Sequence, residues 1–358
     1  KSERLACPSA LPRDWISANN GCLRVKVLIL KPSSLGDIIH ALPVVRLIKR
    51  QRPDWKVHWW IAKHFAPILE MDRDITALHH FHRNDWGTVG GFLRGVRQLY
   101  QLRREHFDIV IDLQGLARSA LFSWVANGSY TIGLHQHREG AVAFYDVAIE
   151  RPALKTHAVD WCRKVLPVLG LESECEFEWL PSRPWIAEKL VGQGYLSGKR
   201  WIALCPGARW PSKRWPLESF VRLMEEFESD PKVHFAVVGG VEDRAAGNQL
   251  ATYKRCLDLT GRTTLPELVE WLRKCDVLVT NDTGPMHIAV AIGTPTVSLF
   301  GPTDSYRTGP YQARENVLHR TDLECVPCFQ RHCARAIDRE CLRKISPTQV
   351  SQVIADCE

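Results

Sequence analysis

Short apolar runs of strand length alternate with stretches of helical spacing along most of this chain, and after a break near the middle the alternation starts again. A parallel sheet with helices on both faces satisfies such a pattern, because each crossover returns the chain to the same end of the sheet. The first set opens with Val25-Lys26-Val27-Leu28-Ile29-Leu30 and a Ser-rich, Gly-containing turn. A helix then follows over 37–50, marked by Ile38, Leu42, Val45 and Ile48. Further strands are expected at 57–61, 75–78 and 107–112, with helices at 89–104 and 116–125. Prolines 167, 181 and 184 and glycines 170, 192, 194 and 198 then interrupt the rhythm. The second set predicts strands at 201–205, 233–238, 277–279 and 296–300, and helices at 217–227, 242–253, 265–273 and 284–291. The expected organisation is an extension over 1–22, a Rossmann-like domain over 23–170, a linker over 171–198 and a second Rossmann-like domain over 199–358 ending in a Cys-rich segment.

At 358 residues there is chain enough for two domains, each with its own core. No apolar run approaches the roughly 18 residues that a spanning helix needs, and residues 1–22 lack the continuous apolar stretch of a secretory signal. A formal net charge of +7 favours anionic partners. Nucleic acid is not expected among them, since the basic residues are spread through helices without a zinc-finger or RNA-recognition signature. Of twelve cysteines, eight are scattered, and Cys162, Cys205 and Cys275 sit inside apolar segments, as small buried hydrophobes do in a reducing compartment. A cytoplasmic location follows. The other four, Cys325, Cys328, Cys333 and Cys341, would bind zinc tetrahedrally if they converge; their spacing is not a standard two-knuckle pattern, and a structural role is expected with or without metal.

Two stretches carry the functional signal. Asn281-Asp282-Thr283-Gly284-Pro285-Met286-His287 leaves one apolar run and leads through a short helix to another, closed by Gly301-Pro302-Thr303. That order presents backbone N–H groups at a helix start, where an anion such as a sugar-nucleotide diphosphate would sit. Near the other end stands Lys31-Pro32-Ser33-Ser34-Leu35-Gly36-Asp37. Together, from about Arg24 onward, the chain resembles glycosyltransferase family nine, the heptosyltransferases of lipopolysaccharide core assembly. The resemblance implies the α/β GT-B fold, two Rossmann-like domains with parallel sheets facing across a cleft. It also implies an inverting enzyme that takes ADP-heptose as donor and the anionic lipopolysaccharide core as acceptor. No cofactor or metal is implied, and the expected protein is a monomer, peripheral on the inner membrane.

The family pattern assigns roles residue by residue. Asp37, in the Ser-Ser-x-Gly-Asp element, is the implied general base, although its place near a helix start also suits a carboxylate that only caps and interacts with the dipole. Pro206-Gly207-Ala208…Lys213-Arg214-Trp215-Pro216 implies Lys213 at the diphosphate, with Ala208 and Arg209 beside the donor. Asp282, Thr283, Gly284 and His287 are implied around the diphosphate and sugar, Glu242 of Gly239-Gly240-Val241-Glu242-Asp243 at the ribose, and Thr263 at the base. On the acceptor side stand Ser34, then Gln114 and Arg118 of Asp112-Leu113-Gln114-Gly115-Leu116-Ala117-Arg118-Ser119, and Arg138 in a polar loop over 133–139. His157-Ala158-Val159-Asp160 reads as structural and Asp72-Arg73-Asp74 as surface acids. The acceptor stays open between Kdo and the first heptose, because the Asp-Leu-Gln-Gly-Leu turn leans one way and the Pro-Gly-Ala and cysteine elements the other. A family member using another nucleotide sugar, or a binding protein without turnover, are the alternatives.

Overall fold

A computed structural model describes residues 25–81, 89–136, 140–174 and 179–357. The extension expected over 1–22 and Arg138 lie outside the described residues. The chain divides into two compact units, Lys1–Trp179 and Leu180–Glu358.

In the first unit, strands β1 (Lys26–Leu30), β2 (Lys56–Ala62), β3 (Ala77–Phe81), β4 (Ile109–Asp112), β5 (Tyr130–His135) and β6 (Val147–Glu150) form one sheet in the order β3-β2-β1-β4-β5-β6. Every pairing is parallel. Helices α1 (Leu35–Gln51), α2 (Val89–Arg104), α3 (Ala117–Ala126) and α4 (Ala158–Arg163) cover it. Helices on both faces leave β1 with Val27 through Leu30 entirely buried, which explains a continuous apolar run rather than an alternating one.

The second unit repeats the plan. Strands β7 (Arg200–Cys205), β8 (Val233–Val237), β9 (Cys256–Asp258), β10 (Val277–Asn281), β11 (Thr296–Phe300) and β12 (Val317–His319) lie in the order β12-β11-β10-β7-β8-β9, again all parallel. Their helices are α5 (Leu217–Glu226), α6 (Arg244–Leu250), α7 (Leu265–Lys274), α8 (Gly284–Ala291) and α9 (Pro347–Asp356). One core joins Ile202, Phe220, Phe235 and Leu299 to Val350 and Ile354 of α9, so the last helix closes this unit. Counted from its own first strand, each sheet reads 3-2-1-4-5-6. The order reverses between β1 and β4 in one unit and between β7 and β10 in the other.

Several expectations need correction. Four strands went unread: β9 and β12 have three residues each and stand at sheet edges, β6 has only four, and β5 contains Gly133 and polar ends. Gly133 to His135 are therefore strand, not the start of a polar loop. The third strand begins at Ala77 rather than Ile75, because Asp72 holds a turn ahead of it, accepting from the N–H of Asp74 at 3.0 Å on its side chain and of Ile75 at 3.1 Å on its carbonyl. Asp72 is no surface acid, at 5% exposed. It accepts from Arg46 Nη1 at 2.7 Å, and the same nitrogen donates to Asp74 at 2.6 Å, so both carboxylates belong to a largely buried ion-pair cluster on α1. His157 caps α4, accepting from Val159 N–H at 3.2 Å, and its ring stands edge-on to that of His40 in α1.

His58 of β2 and His79 of β3 stack across the sheet with Nδ1 and Nε2 2.9 Å apart. Burial, then the neighbouring His79, pushes His58 down to about 4, and burial lowers His79 as well. An unfolded chain would protonate His58 near 6.5 while the folded one resists, so this contribution is present above pH 6.5 and is lost as pH falls toward 4. The melting temperature is expected to fall across that window, and His58→Leu to flatten the fall. An equally steep acid decline in the variant would show that the pair is not responsible.

Candidate active site

In open parallel sheets, ligands collect outside the carboxyl ends of the strands where the order reverses. Each unit has one such place, and most of the singled-out residues lie on the loops that leave it.

In the first unit Leu30 pairs with Asp112 at the ends of β1 and β4. Beyond Leu30, Lys31 is buried and donates from Nζ to the Leu113 carbonyl at 2.6 Å, which ties the two loops together. Ser34 caps α1, and Asp37 is the third helical residue. The Asp37 carboxylate accepts on Oδ2 from the Ser34 N–H at 2.9 Å and the Ser34 hydroxyl at 2.7 Å. This is the capping geometry expected of a helix-terminal acid. Yet the other oxygen faces Lys31 Nζ at 3.7 Å, and the side chain is 43% exposed.

Asp112 organises the turn beside it. Fully buried, it accepts from the N–H groups of Gln114 at 2.8 Å and Gly115 at 3.1 Å and from the Tyr145 hydroxyl at 2.7 Å. Burial pushes its carboxyl up, and those hydrogen bonds pull the other way. Gly115 has φ +70°, and a Cβ there would come within 2.4 Å of the Leu134 carbonyl, so only glycine fits. Gln114 consequently stands at the sheet end with its side-chain oxygen buried and without a hydrogen-bond partner among the described residues. Arg118 is exposed in the first turn of α3. Sequence reasoning passed over Asp112 and Tyr145 as the residues that build this turn. The signal for Asp112 was present, a carboxylate that ends an apolar strand.

In the second unit the organiser is Asn281, also overlooked. It ends β10 with no exposure and donates from Nδ2 to the Pro206 carbonyl at 2.8 Å, while its Oδ1 accepts from the Trp215 N–H at 2.9 Å. One amide thereby pins both ends of the 206–215 loop. Within that loop Lys213 donates from Nζ to Asp282 Oδ2 at 2.6 Å and lies 4.8 Å from the centre of the Trp210 ring. The same carboxylate oxygen accepts from Thr303 at 2.6 Å. Asp282 and Lys213 are thus brought together, and the carboxylate holds the cation. Ala208 is buried, with its carbonyl accepting from Arg214 Nε at 2.9 Å, and Arg209 is exposed. Arg214 braces the loop rather than pointing away into solvent.

Immediately after Asp282, Thr283 takes the N-cap position of α8 and Gly284 begins it. The helix start offers backbone donors that have no intrahelical acceptor, and its dipole places positive potential at the same end. His287 sits one turn in and is 8% exposed. Glu242 is exposed, whereas its neighbour Asp243 turns inward and accepts from the Gly240 N–H at 3.0 Å. A Cβ on Gly207 would meet the Asp243 carboxylate at 2.2 Å, so that glycine admits the acid. Burial raises the Asp243 carboxyl, with the Gly240 N–H opposing. Thr263 is half-buried, and it is Thr264 that caps α7, in a reciprocal box with Glu267.

The cysteine segment supports these loops from outside. The Ser212 hydroxyl donates to the Gln330 carbonyl at 2.6 Å, Phe329 N–H to the Pro302 carbonyl at 2.8 Å, and Arg339 to the Arg214 carbonyl at 2.9 Å. Burial, with Cys325, Cys333 and Cys328 nearby, pushes the Cys341 thiol up to about 11. Among the described residues no group of three or more His, Cys, Asp or Glu side chains is disposed to hold a metal ion. The segment's visible contribution is the bracing of the Lys213 and Thr303 loops.

Twin all-parallel Rossmann-like units, each with a polar site at its reversal point, define the α/β class of this protein. The sequence model of glycosyltransferase family 9 (heptosyltransferase) matches residues 96–336, and the chain belongs to that family of transferases. It is 29% identical to lipopolysaccharide heptosyltransferase 1 of Pseudomonas aeruginosa over 321 residues, 86% of this chain and 87% of that one. It is 27% identical to lipooligosaccharide heptosyltransferase 2 of Campylobacter jejuni over 343 residues, 92% of this chain and 98% of that one. The fold is similar to E. coli ADP-heptose lps heptosyltransferase II, with TM-score 0.72 and 21% identity over 93% of this chain and 98% of that one. It is also similar to E. coli heptosyltransferase WaaC with ADP, with TM-score 0.75 and 22% identity over 93% of this chain and all of that one.

Asn281→Ala would leave the buried Trp215 N–H without its acceptor, which costs about 1–3 kcal/mol. A lower denaturant midpoint is expected for the variant. An unchanged midpoint would mean that the 206–215 loop is held by other contacts.

Proposed function

We propose that this transferase moves heptose from ADP-heptose to the inner core of lipopolysaccharide with inversion at the sugar carbon. The observation that carries the reading is the pairing of Lys213 with Asp282 just ahead of the α8 helix start. The names of the relatives, lipopolysaccharide and lipooligosaccharide heptosyltransferases, support the choice of sugar and acceptor class.

In this reading the diphosphate lies against the first turn of α8, and Lys213 exchanges part of its contact with Asp282 for a phosphate oxygen. Negative charge grows on that oxygen as the bond to the sugar breaks, so a cation and aligned N–H dipoles stabilise the transition state more than the ground state. Asp282 and Thr303 set the position of Lys213, Thr283, Gly284 and His287 line the helix start, and Ala208 and Arg209 border the donor. Asp243, better buried than Glu242, joins the candidates facing the nucleoside, with Thr263 near the base. These groups supply the chemistry without a metal.

Asp37 serves as the general base. Ser34 fixes its orientation through one oxygen, and the partly exposed carboxylate is where an acceptor hydroxyl would give up its proton. Gln114, with its unpartnered oxygen, and Arg118 meet the anionic acceptor. No helix among the described residues is long and apolar enough to cross a membrane. The working location is the cytoplasmic face of the inner membrane, with the protein peripheral and monomeric.

Two substitutions test the assignment. Asp37→Asn keeps the size and removes the basicity, so turnover is expected to fall by about 10²-fold or more with ADP-heptose affinity nearly unchanged. Transfer at the parent rate would reduce Asp37 to a capping residue. Lys213→Ala is expected to lower turnover and ADP affinity together, by kinetics and calorimetry. Full ADP affinity in that variant would put the diphosphate elsewhere, and a parent that binds ADP-heptose but transfers nothing to core acceptors would be a binding protein.

A further inference from the structure

Helices α2 and α3 pack against one another and bury Leu102, Phe122 and Ala126 in a shared core with the first sheet, with Leu99 partly buried against it. Their outward sides are unusual for a solvated helix pair. Tyr100 is 61% exposed, Trp124 59%, Leu121 46% and Val96 45%. Val96 and Tyr100 are one turn apart on α2, and Leu121 and Trp124 one turn apart on α3, each pair on the side away from the buried positions. Single exposed apolar residues need no explanation, but a group of four on adjoining helices does.

On the two helices themselves the charge has one sign, and Glu105, which follows α2, is paired with Lys26 Nζ at 2.6 Å. Helix α2 carries Arg97, Arg103 and Arg104, helix α3 carries Arg118, and neither contains an Asp or Glu. Arg97, Arg103, Arg104 and Arg118 are exposed, and the Arg104 guanidinium lies 5.9 Å from the centre of the Tyr100 ring. Tyrosine and tryptophan favour the headgroup level of a bilayer, where an apolar ring and a polar tip are both accommodated. Arginines beside them complement anionic headgroups. Val96 and Leu121 decide between a lipid surface and a soluble polyanion, since aliphatic side chains gain nothing from phosphate or sugar and gain from entering the acyl boundary.

We propose that the outward face of α2 and α3 docks this protein on an anionic phospholipid surface, both helices lying in the plane of the interface with Tyr100, Trp124, Leu121 and Val96 inserted and the arginines on the headgroup phosphates. The proposal deepens the functional reading above and rests on it for the reason to dock, a lipid-linked acceptor. Helix α3 joins the two, because its first turn carries Arg118 and its outer side carries Leu121 and Trp124.

The test uses the full chain and vesicles of phosphatidylcholine, with or without phosphatidylglycerol, followed by sedimentation. The parent is expected to bind the phosphatidylglycerol vesicles in a salt-sensitive way and the neutral ones much less. Arg97→Gln, Arg103→Gln and Arg104→Gln together are expected to weaken binding by about 10²-fold, at roughly five-fold per arginine. Leu121→Ser with Trp124→Ser should weaken it by about tenfold or more while leaving the salt sensitivity in place. Both variants should keep the parent's melting temperature and its rate on a water-soluble, deacylated acceptor. The proposal is overturned if the parent ignores phosphatidylglycerol vesicles or if the Leu121 and Trp124 variant binds them like the parent. Binding to duplex DNA as tight as to vesicles would also overturn it. Vesicle binding by a parent that transfers no heptose would support the docking face and overturn the functional reading instead.

Discussion

Reversal of strand order at the middle of each sheet is the constraint on which the candidate site depends. With every strand parallel and crossovers of one hand, chains leaving β1 and β4, or β7 and β10, must travel in opposite directions. The gap between those departing loops is the one place at the sheet end that the connecting helices do not fill. Asp37, in the first turn of α1, and Gln114 follow the two strands of one gap, and Lys213 and Asp282 follow the two strands of the other.

Loops at such a gap need internal anchors, and in both units the anchor is a buried polar side chain at a strand end. Asp112 satisfies three donors without any exposure, and Asn281 spans from the Pro206 carbonyl to the Trp215 N–H. A buried polar group of this kind is unfavourable unless all its partners are present, so the loops have one low-energy arrangement rather than several. The Lys213–Asp282 pair differs in kind. Lys213 shares its carboxylate with Thr303 and is partly exposed, so the cation is oriented while remaining able to exchange partners with an incoming anion. Pre-orientation of this sort lowers the reorganisation needed when charge develops.

Legibility followed burial and length. The central strands, apolar on both faces, and the helices with long periodic faces were readable to within a few residues; β2 and α2 are examples. Edge strands β9 and β12 were not, since three residues carry too little periodicity to distinguish them from loop. That Thr264 forms the α7 cap beside Thr263, and that Asp243 rather than Glu242 turns inward, was not readable either, because in a turn the direction of a side chain depends on dihedral angles that residue types only bias.

Sequence alone determined the twofold α/β alternation, the family, and the motifs that bear the Ser34–Asp37, Lys213 and Asp282–His287 groups, because these depend on local periodicity and on residue types at fixed spacing. Tertiary structure decided which groups meet. The approach of Lys213 to Asp282 across 69 positions, the burial of Asp72 against Arg46, and the packing of α2 on α3 all depend on how crossovers stack on the sheet. Contacts between residues distant in the chain are set by packing summed over the whole unit, and no local window of sequence contains that sum.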